Sequence, residues 1–266
     1  MKLYLYPNAL SEERREAAVR CTRVLTGRFE CFASPENAAW LESGTCRVGD
    51  PAACDAVVAF GGDGTMLRAA RVALSADRPL LGVNTGRLGY LCALTEAELS
   101  GFDETAFRAL RPDRRTLIGY DWQGESRCVL NELTIAKSDY GTTLDVRAAL
   151  NGETLAVWQG DGLIVATPTG SSAYNLSAGG PRLLPDCGCF VLTPLCPTGA
   201  NRASVVYADS SALSVSAAAR FSPQEARVYA DGVFVGILNG ELILRRAART
   251  LTLLQRRDGR LPLFPG

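Results

Sequence analysis

The first hundred residues alternate between short apolar runs and longer segments whose apolar positions recur at helical spacing. Short apolar runs of this kind are typical of buried strands in a parallel sheet. The predicted strands cover residues 2–6, 29–32, 55–60 and 79–84. Strands that alternate with helices predict an open parallel α/β sheet, with its ligand crevice beyond the carboxyl ends of the strands.

The helices of this region are predicted from spacing and from end signals. Ser11 is a good N-cap, and Glu12 and Glu13 suit the positive end of the helix dipole, so we expect a helix from Ser11 to Leu25. Spacing further predicts a helical turn and two helices, at residues 37–41, 65–74 and, as one continuous helix, roughly 95–110.

After residue 110 the pattern changes to alternating apolar and polar positions, which predict antiparallel β structure. Two Asn-Gly pairs, Asn151-Gly152 and Asn239-Gly240, stand between alternating runs and predict two β-hairpins. Further predicted strands are residues 127–135, 163–166, 204–207, 212–216, 227–229 and 250–255. We therefore expect an α/β domain over residues 1–110 and a β-rich domain over 111–245, with the segment from about 245 to 266 free to pack back on the first.

A glycine turn between the strand at 55–60 and the next helix holds the most informative residue of the first domain. Gly61, Gly62 and Gly64 let the backbone approach a ligand, and a strand-to-helix turn points backbone N–H groups at an anion. Asp63 adds a carboxylate, which a site that only binds phosphate does not need. A site that also holds Mg²⁺ or removes a proton from a hydroxyl does need one. The alternative is a turn that only permits close packing.

The motifs and composition exclude several kinds of binding site and catalytic nucleophile. The dinucleotide fingerprint G-x-G-x-x-G is not matched at this turn, and neither of the two lysines, Lys2 and Lys137, follows a glycine loop as a Walker lysine would. The chain has no histidine, which excludes Ser-His and Cys-His nucleophiles. Its nine cysteines include no C-x-x-C pair, and we expect Cys187 and Cys189 to be incidental thiols. Zero formal net charge and no long apolar run predict a cytoplasmic protein without a nucleic-acid or membrane partner.

A second unusual stretch runs from residue 160 to residue 181 and is dense in glycine and hydroxyl groups. A predicted buried strand at 163–166 leads into a turn, and a short helix is predicted over 172–178. The hydroxyls and Tyr174 suit a flat, polar ligand such as an adenosine unit, although a Ser/Thr-rich capping loop would share this composition. Asn131-Glu132, expected within the strand at 127–135, is either a second polar ligand site or an ordinary strand end.

Four segments, taken together and in order, resemble the NAD kinases. They are Gly61–Leu67 (GGDGTML), Gly82–Gly89 (GVNTGRLG), Asn131-Glu132 and the long segment Asp161–Pro181. The resemblance spans roughly residues 55–240. The first segment alone is shared with diacylglycerol and sphingosine kinases, whereas the last is much more specific.

The resemblance implies phosphorylation of NAD at the 2′-hydroxyl of its adenosine ribose, with ATP or polyphosphate as donor. Mg²⁺, or another divalent cation, would be held mainly by the donor phosphates. Asp63 would be the general base, and Asn131 and Glu132 would hold the adenosine portion. Asp161 would reach a neighbouring subunit's site, which implies a homodimer or homotetramer with a shared active site. The implied binding residues are Gly62, Gly64, Thr65, Arg68, Asn84, Asn131, Glu132, Asp161, Thr169, Ser172, Ala173, Tyr174, Asn175, Leu176 and Ser177.

The chain departs from the family pattern at Ala166, Ser172, Val233 and the segment 196–202. These departures concern the choice between NAD and NADH as the acceptor substrate. Two alternatives remain open. A lipid kinase shares the glycine-aspartate loop but needs an apolar acceptor cleft, which the hydroxyl-rich turn argues against. A non-catalytic NAD-binding sensor would not need Asp63.

Overall fold

The structure, a computed structural model, describes residues 1–8, 11–41, 45–86, 89–219 and 225–256. Its backbone contacts divide the chain into one unit of residues 1–114 together with the chain from Leu251 onward, and a second unit, Arg115–Thr250. No helix among the described residues is long and apolar enough to cross a membrane. The predicted fold class is confirmed: a parallel sheet with helices comes first, and antiparallel sheets follow.

The described residues form five α-helices, three short 3₁₀-helices and twenty strands. The α-helices are α1 (Glu12–Thr26), α2 (Pro35–Ala38), α3 (Asp63–Ala76), α4 (Glu104–Arg108) and α5 (Tyr174–Ser177), and the 3₁₀-helices are Pro51–Ala53, Ala97–Gly101 and Gly170–Ser172. The first ten strands are β1 (Lys2–Pro7), β2 (Glu30–Ala33), β3 (Cys46–Val48), β4 (Ala56–Phe60), β5 (Leu80–Asn84), β6 (Leu94–Thr95), β7 (Arg111–Arg115), β8 (Ile118–Trp122), β9 (Glu125–Val129) and β10 (Glu132–Lys137). The other ten are β11 (Leu144–Leu150), β12 (Glu153–Gly160), β13 (Gly162–Ala166), β14 (Cys189–Leu195), β15 (Val205–Ala208), β16 (Leu213–Ala219), β17 (Ala226–Ala230), β18 (Val233–Ile237), β19 (Glu241–Arg246) and β20 (Leu251–Gln255).

The first unit is built on one sheet in the order β3-β2-β1-β4-β5-β20-β7, with β6 also beside β5. The pairs that β1 makes with β2 and β4, and those that β5 makes with β4 and β20, are parallel. From β1 the chain passes first to β2 on one side and later to β4 on the other. The loops that leave β1 and β4 therefore diverge, and such a switch point is where open α/β sheets bind ligands.

Helix α1 agrees with the sequence prediction, whereas the helical region near residues 95–110 differs from it. Ser11 caps α1, as predicted, by accepting a hydrogen bond from the Arg14 backbone N–H. The single helix expected over residues 95–110 is wrong. A 3₁₀-helix ends at Gly101, and α4 begins anew because the Asp103 carboxylate caps it by accepting from the Ala106 N–H at 2.8 Å. Phe102 lies between the two helices with its ring buried against Phe29.

Two antiparallel six-stranded sheets form the second unit, in the orders β15-β14-β13-β10-β17-β18 and β12-β11-β16-β19-β8-β9. Alternate side chains of both sheets share one apolar core, to which Ile135 and Val165 come from the first sheet and Val146 and Trp158 from the second. This two-layer arrangement is a β-sandwich.

One of the two predicted hairpins is confirmed and the other is wrong. Asn151 and Gly152 have φ of +51° and +88° and join β11 to β12, as a type I′ turn requires. Asn239-Gly240, by contrast, connects strands of different sheets, because β18 pairs with β17 while β19 pairs with β16 and β8. The second tight turn is Asp231-Gly232, with φ of +47° and +75°, between β17 and β18.

The single strand expected over residues 127–135 is also wrong. It is two strands, since β9 ends at Val129 in one sheet and β10 begins at Glu132 in the other. Leu130 and Asn131 make the crossing between the sheets. An apolar run cannot distinguish one long strand from two strands that change sheets, because both bury the same side chains.

The late strand whose position the sequence left open is β20. It pairs in parallel with β5 through Leu253 opposite Leu80 and Leu254 opposite Leu81. Leu253 and Leu254 are buried, so the end of the described chain contributes to the core of the first unit.

Candidate active site

A cavity of about 620 Å³ opens at the switch point between β1 and β4. Its lining comes from the end of β1, the first turn of α1, the glycine loop after β4, the start of α3 and the turn after β5. The lining residues are Asn8, Glu13, Arg14, Gly61, Gly62, Gly64, Thr65, Arg68, Thr85 and Gly86. The wall is therefore polar and rich in glycine.

The glycines of this cavity act in two ways. A Cβ atom on Gly61 would lie 2.3 Å from Thr65 Oγ1, so this glycine permits the loop to close on the helix. Gly62, Gly64 and Gly86 have no atom within 4 Å of the position a Cβ would take, so their backbone faces open space. Gly62 is the N-cap of α3 and no side chain caps this helix, which leaves its N-terminal N–H groups for an anion.

Asp63 is the first residue of α3, which begins two residues earlier than the helix predicted from Thr65. Its carboxylate accepts hydrogen bonds from the backbone N–H groups of Tyr90 at 3.0 Å and Leu91 at 3.1 Å. A Cβ on Gly89 would lie 2.4 Å from Asp63 Oδ1, so only glycine allows this close approach. The carboxylate is thus held at a fixed place beside the glycine loop.

Cys92 supports the same loop from behind. Its Sγ lies 3.3 Å from the Gly61 carbonyl oxygen, to which the thiol donates. Burial, and then the negative charge of Asp63, raise the pKa of the Cys92 thiol to about 12. It therefore stays protonated at neutral pH and is a structural donor and no nucleophile.

Of the residues that the sequence predicted in this unit, Gly62, Gly64, Thr65 and Arg68 line the cavity. Asn84 lies beside it, where its side-chain oxygen accepts from the Gly86 N–H at 2.9 Å and shapes the turn. Sequence reasoning missed the contributions of Asn8 and of the α1 residues Glu13 and Arg14. Their position directly after the strand next to β4 was the signal that would have found them.

The second group of candidate residues is organised by Asp231, in the turn between β17 and β18. Its carboxylate accepts from three successive backbone N–H groups, those of Leu130 at 3.0 Å, Asn131 at 2.7 Å and Glu132 at 3.3 Å. The Asp231 N–H in turn donates to the Glu132 carbonyl at 3.0 Å. This carboxylate holds the crossing between the two sheets in the bend that presents Asn131 and Glu132.

Both of those side chains present a buried acceptor with no hydrogen-bond partner among the described residues. The two atoms are Asn131 Oδ1 and Glu132 Oε2, and both residues are 7% exposed. A buried polar atom without a partner costs stability, so such atoms in a folded protein usually receive one from a ligand or water. Two neighbouring acceptors fit a ligand that offers N–H or O–H donors, such as an adenine amine and ribose hydroxyls.

Burial, and then the charge of Asp231, raise the pKa of Glu132 to about 7. An unfolded glutamate has a pKa of about 4.3, so between about pH 4.3 and 7 the unfolded chain loses this proton while the folded chain keeps it. The free energy of unfolding should therefore fall by up to about 4 kcal/mol as pH rises through this window.

Glu132→Gln removes this titration. We expect denaturant unfolding of the variant to vary less between pH 5 and pH 8 than that of the wild type, and the variant to be the more stable of the two at pH 8. Glu153→Gln, an exposed glutamate of the same unit, is the control and should keep the wild-type dependence. A Glu132→Gln profile parallel to the wild type would contradict the raised pKa.

The turn after β13 packs directly on this crossing. Thr167 Oγ1 donates to the Leu130 carbonyl at 2.6 Å, and the Thr167 N–H donates to the Asn131 carbonyl at 2.9 Å. A Cβ on Gly170 would lie 2.1 Å from the Asn131 carbonyl oxygen. The glycine is therefore required for the approach of the two backbones.

Gly170→Ala should accordingly lower stability by about 3 kcal/mol, because backbone on both sides must move. Thermal unfolding measures this, with Gly199→Ala as control, since a Cβ there meets no atom within 4 Å. Equal melting temperatures for the two variants would show that the turn tolerates a side chain.

The other predicted residues of this unit divide into supporting and exposed groups. Asn175 is fully buried: its amide nitrogen donates to the Ser171 and Pro181 carbonyls, and its oxygen accepts from Thr193 Oγ1. It therefore holds the turn, and we assign its side chain no ligand contact. Thr169 and Ser172 also have partners within the unit, Arg115 Nη1 and the Thr169 carbonyl. The remaining residues, Ala173, Tyr174, Leu176 and Ser177, are partly or fully exposed.

Asp161 was predicted as a binding residue that reaches a neighbouring subunit. In the structure its carboxylate forms an ion pair with Lys137, at 2.7 Å between Oδ1 and Nζ. Lys137 is mostly buried and also donates to the Tyr140 carbonyl at 3.3 Å. Sequence reasoning had assigned Lys137 no part, and it now fixes the orientation of the Asp161 carboxylate.

A magnesium ion would find few protein ligands in the described part of the chain, where no three acidic, cysteine or histidine side chains group together. Mg²⁺ sites in phosphoryl-transfer enzymes often use one or two carboxylates, waters and the substrate phosphates. The described lining of the glycine-walled cavity therefore fits a Mg²⁺ ion that is held mainly by donor phosphates and water.

Comparison with known proteins places these features in one family. Residues 9–112 match the model of the ATP-NAD kinase N-terminal domain, and residues 130–236 match that of the ATP-NAD kinase C-terminal domain. An NAD kinase of Syntrophotalea carbinolica is 34% identical over 213 residues, which are 77% of this chain and 74% of the relative. An NAD kinase of Lachnospira eligens is 39% identical over 163 residues, 58% of this chain and 55% of the relative, so that match spans about half of the relative's length.

The fold agrees. The crystal structure of yeast NADH kinase complexed with NADH superposes with a TM-score of 0.81 at 20% identity, covering 97% of this chain and 84% of the other. At that identity the likeness shows the fold, while the domain matches and the relatives show the family. The chain belongs to the NAD kinase family.

Proposed function

We propose that this chain transfers a phosphoryl group from ATP, or from polyphosphate, to the 2′-hydroxyl of the adenosine ribose of NAD, giving NADP. The observation that carries the proposal is the pair of buried acceptors without partners, Asn131 Oδ1 and Glu132 Oε2. They need donors, and the adenosine half of NAD carries an amine and hydroxyls. Because the chain belongs to the NAD kinase family, this pair supports binding of the adenosine portion of NAD at Asn131 and Glu132.

Asp63 is the residue we propose as general base. Its carboxylate is held by the Tyr90 and Leu91 N–H groups, yet each oxygen keeps a second lone pair for a further hydrogen bond. The 2′-hydroxyl proton passes to this carboxylate as the oxygen forms its bond to phosphorus, and the bond from phosphorus to the donor's bridging oxygen breaks. A positioned base of this kind contributes about 10²–10⁴ in rate.

Mg²⁺ would be held mainly by the donor phosphates, which leaves the Asp63 carboxylate to accept the proton of the 2′-hydroxyl. When bound, Mg²⁺ supplies positive charge that offsets the charge of the phosphates. The protein's own part is to present the loop backbone and arginine side chains to the phosphate chain and to keep the carboxylate in place.

The proposal extends to assembly and location. We propose a homodimer or homotetramer, with Asp161 reaching toward a neighbouring subunit from the position that Lys137 fixes. All nine cysteines are free thiols, which suits a reducing compartment, and we place the chain in the cytoplasm.

The test is label transfer from γ-³²P-ATP, in the presence of Mg²⁺, to NAD, NADH or diacylglycerol in mixed micelles. Label in NADP is the expected result, and the NAD-to-NADH ratio defines the preferred redox form. Label only in the lipid would move the chain to the lipid kinases that share its glycine loop. Tight NAD binding with no label in any acceptor would indicate a sensor.

A further inference from the structure

Two arginines that converge on the switch-point cavity have no acidic partner among the described residues. The backbone N–H of Arg14, in the first turn of α1, donates to Ser11 Oγ, and the guanidinium of Arg68 in α3 lies 3.3 Å from Thr65 Oγ1. Both line the cavity. Elsewhere in the first unit, exposed arginines such as Arg20 and Arg108 form ion pairs with glutamates.

The positive charge of Arg14 is unfavourable at the N-terminus of α1. It is the third residue of α1, where the positive end of the helix dipole favours acidic side chains, as at the two positions before it. The next residue, Arg15, has a packing reason, since its guanidinium lies over the Trp40 ring at 5.8 Å. Among the described residues Arg14 contacts no aromatic ring, and it lines the cavity.

The rest of the cavity wall suits a bound anion. Gly62, Gly64 and Gly86 present open backbone, and α3 begins in the cavity without a side-chain cap. The two arginines outweigh Glu13, the single acidic side chain among the described lining residues. No aromatic side chain belongs to this lining, so the described wall offers charge and N–H groups but no ring on which a base could stack.

We propose that Arg14 of α1 acts together with Arg68 of α3 in binding the phosphate chain of the donor. This inference rests on the proposed function for the identity of the donor. Arg14 is the new element, because it is contributed by α1 and lies outside the glycine loop. Arginine suits this role because its guanidinium N–H groups fit phosphate oxygens bidentately.

The experiment uses the full chain with Arg14→Gln, Arg68→Gln and the double variant. Each single change should raise the KM for ATP about tenfold, and the double change about a hundredfold, with the KM for NAD within twofold of wild type. Arg15→Gln removes the same charge from the same helix outside the cavity and should leave both constants unchanged.

Calorimetric binding of inorganic tripolyphosphate separates this proposal from the reaction itself. If the wild-type chain binds tripolyphosphate and the Arg14 and Arg68 variants bind it at least tenfold more weakly, the phosphate-binding role of the two arginines is supported. This holds even if no NADP is formed. If NADP is formed but the two variants keep the wild-type KM for ATP and the wild-type tripolyphosphate affinity, this role is refuted and the proposed function stands. A variant with an altered KM for NAD alone would also overturn it, by placing the arginines on the acceptor.

Discussion

Asp63→Asn should lower kcat for NADP formation about 10³-fold while NAD still binds with near wild-type affinity. An amide has the size of the carboxylate but cannot accept the proton of the 2′-hydroxyl, and a positioned base contributes about 10²–10⁴ in rate. Single-turnover kinetics with NAD and ATP measure the loss, and a binding titration with NAD alone checks that the acceptor site persists.

This variant needs a structural control, because both carboxylate oxygens of Asp63 accept backbone N–H groups. An asparagine amide nitrogen cannot accept the second of these bonds, so we expect a loss of stability of about 1–3 kcal/mol. Asp103→Asn is the matched control, since Asp103 also accepts a backbone N–H at a helix N-terminus, in α4. Retained turnover in a folded Asp63→Asn protein would remove Asp63 from the role of base.

Asp231→Ala should have the second large effect, on both stability and NAD binding. The carboxylate that it removes accepts three successive N–H groups, from Leu130 to Glu132. Hydrogen bonds to a charged group contribute about 1.5–3 kcal/mol each, and partial solvation of the freed groups should leave a net loss of about 3 kcal/mol. The crossing between the sheets would relax, and Asn131 and Glu132 would no longer present their acceptors together.

Denaturant unfolding and an NAD titration on the same preparation measure the two consequences. Asp121→Ala is the control, because Asp121 is an exposed aspartate of the same unit whose carboxylate accepts from Ser126 Oγ. We expect NAD affinity to fall at least tenfold in Asp231→Ala and to be unchanged in the control. Equal affinity in both would mean that the bend at Asn131 does not depend on this carboxylate.

The parts of the fold that followed from sequence are those fixed by local chemistry. Ser11 caps a helix, Asn151-Gly152 makes a hairpin, and the apolar run from Ala56 to Phe60 is a fully buried strand. The errors concern which strands pair. Asn239-Gly240 has the same local signal as the true hairpin, but β18 is held by β17 and β19 by β16 and β8. Pairing is decided by contacts distant in sequence, which no short pattern contains.

The residues of the candidate site also divide into those that the sequence predicted and those that only the structure revealed. Asp63 stood out in the sequence because a carboxylate in a glycine turn is unusual, whereas Asn131 and Glu132 were assigned through the family resemblance. Arg14 and Lys137 did not stand out, since an arginine or lysine on a helix or strand is ordinary until its surroundings are known. Asn175 shows the reverse case, because its membership of a motif did not reveal that its amide bonds only within the chain.

The central claim is that this chain makes NADP by phosphorylating the 2′-hydroxyl of NAD. It is tested most directly by incubating the purified wild-type chain with NAD, ATP and Mg²⁺ and reading the product with an NADP-specific dehydrogenase. We predict NADP that accumulates with time and with enzyme, and that is absent when EDTA is added at the start. Measurable NAD binding without NADP from ATP or from polyphosphate would contradict the claim.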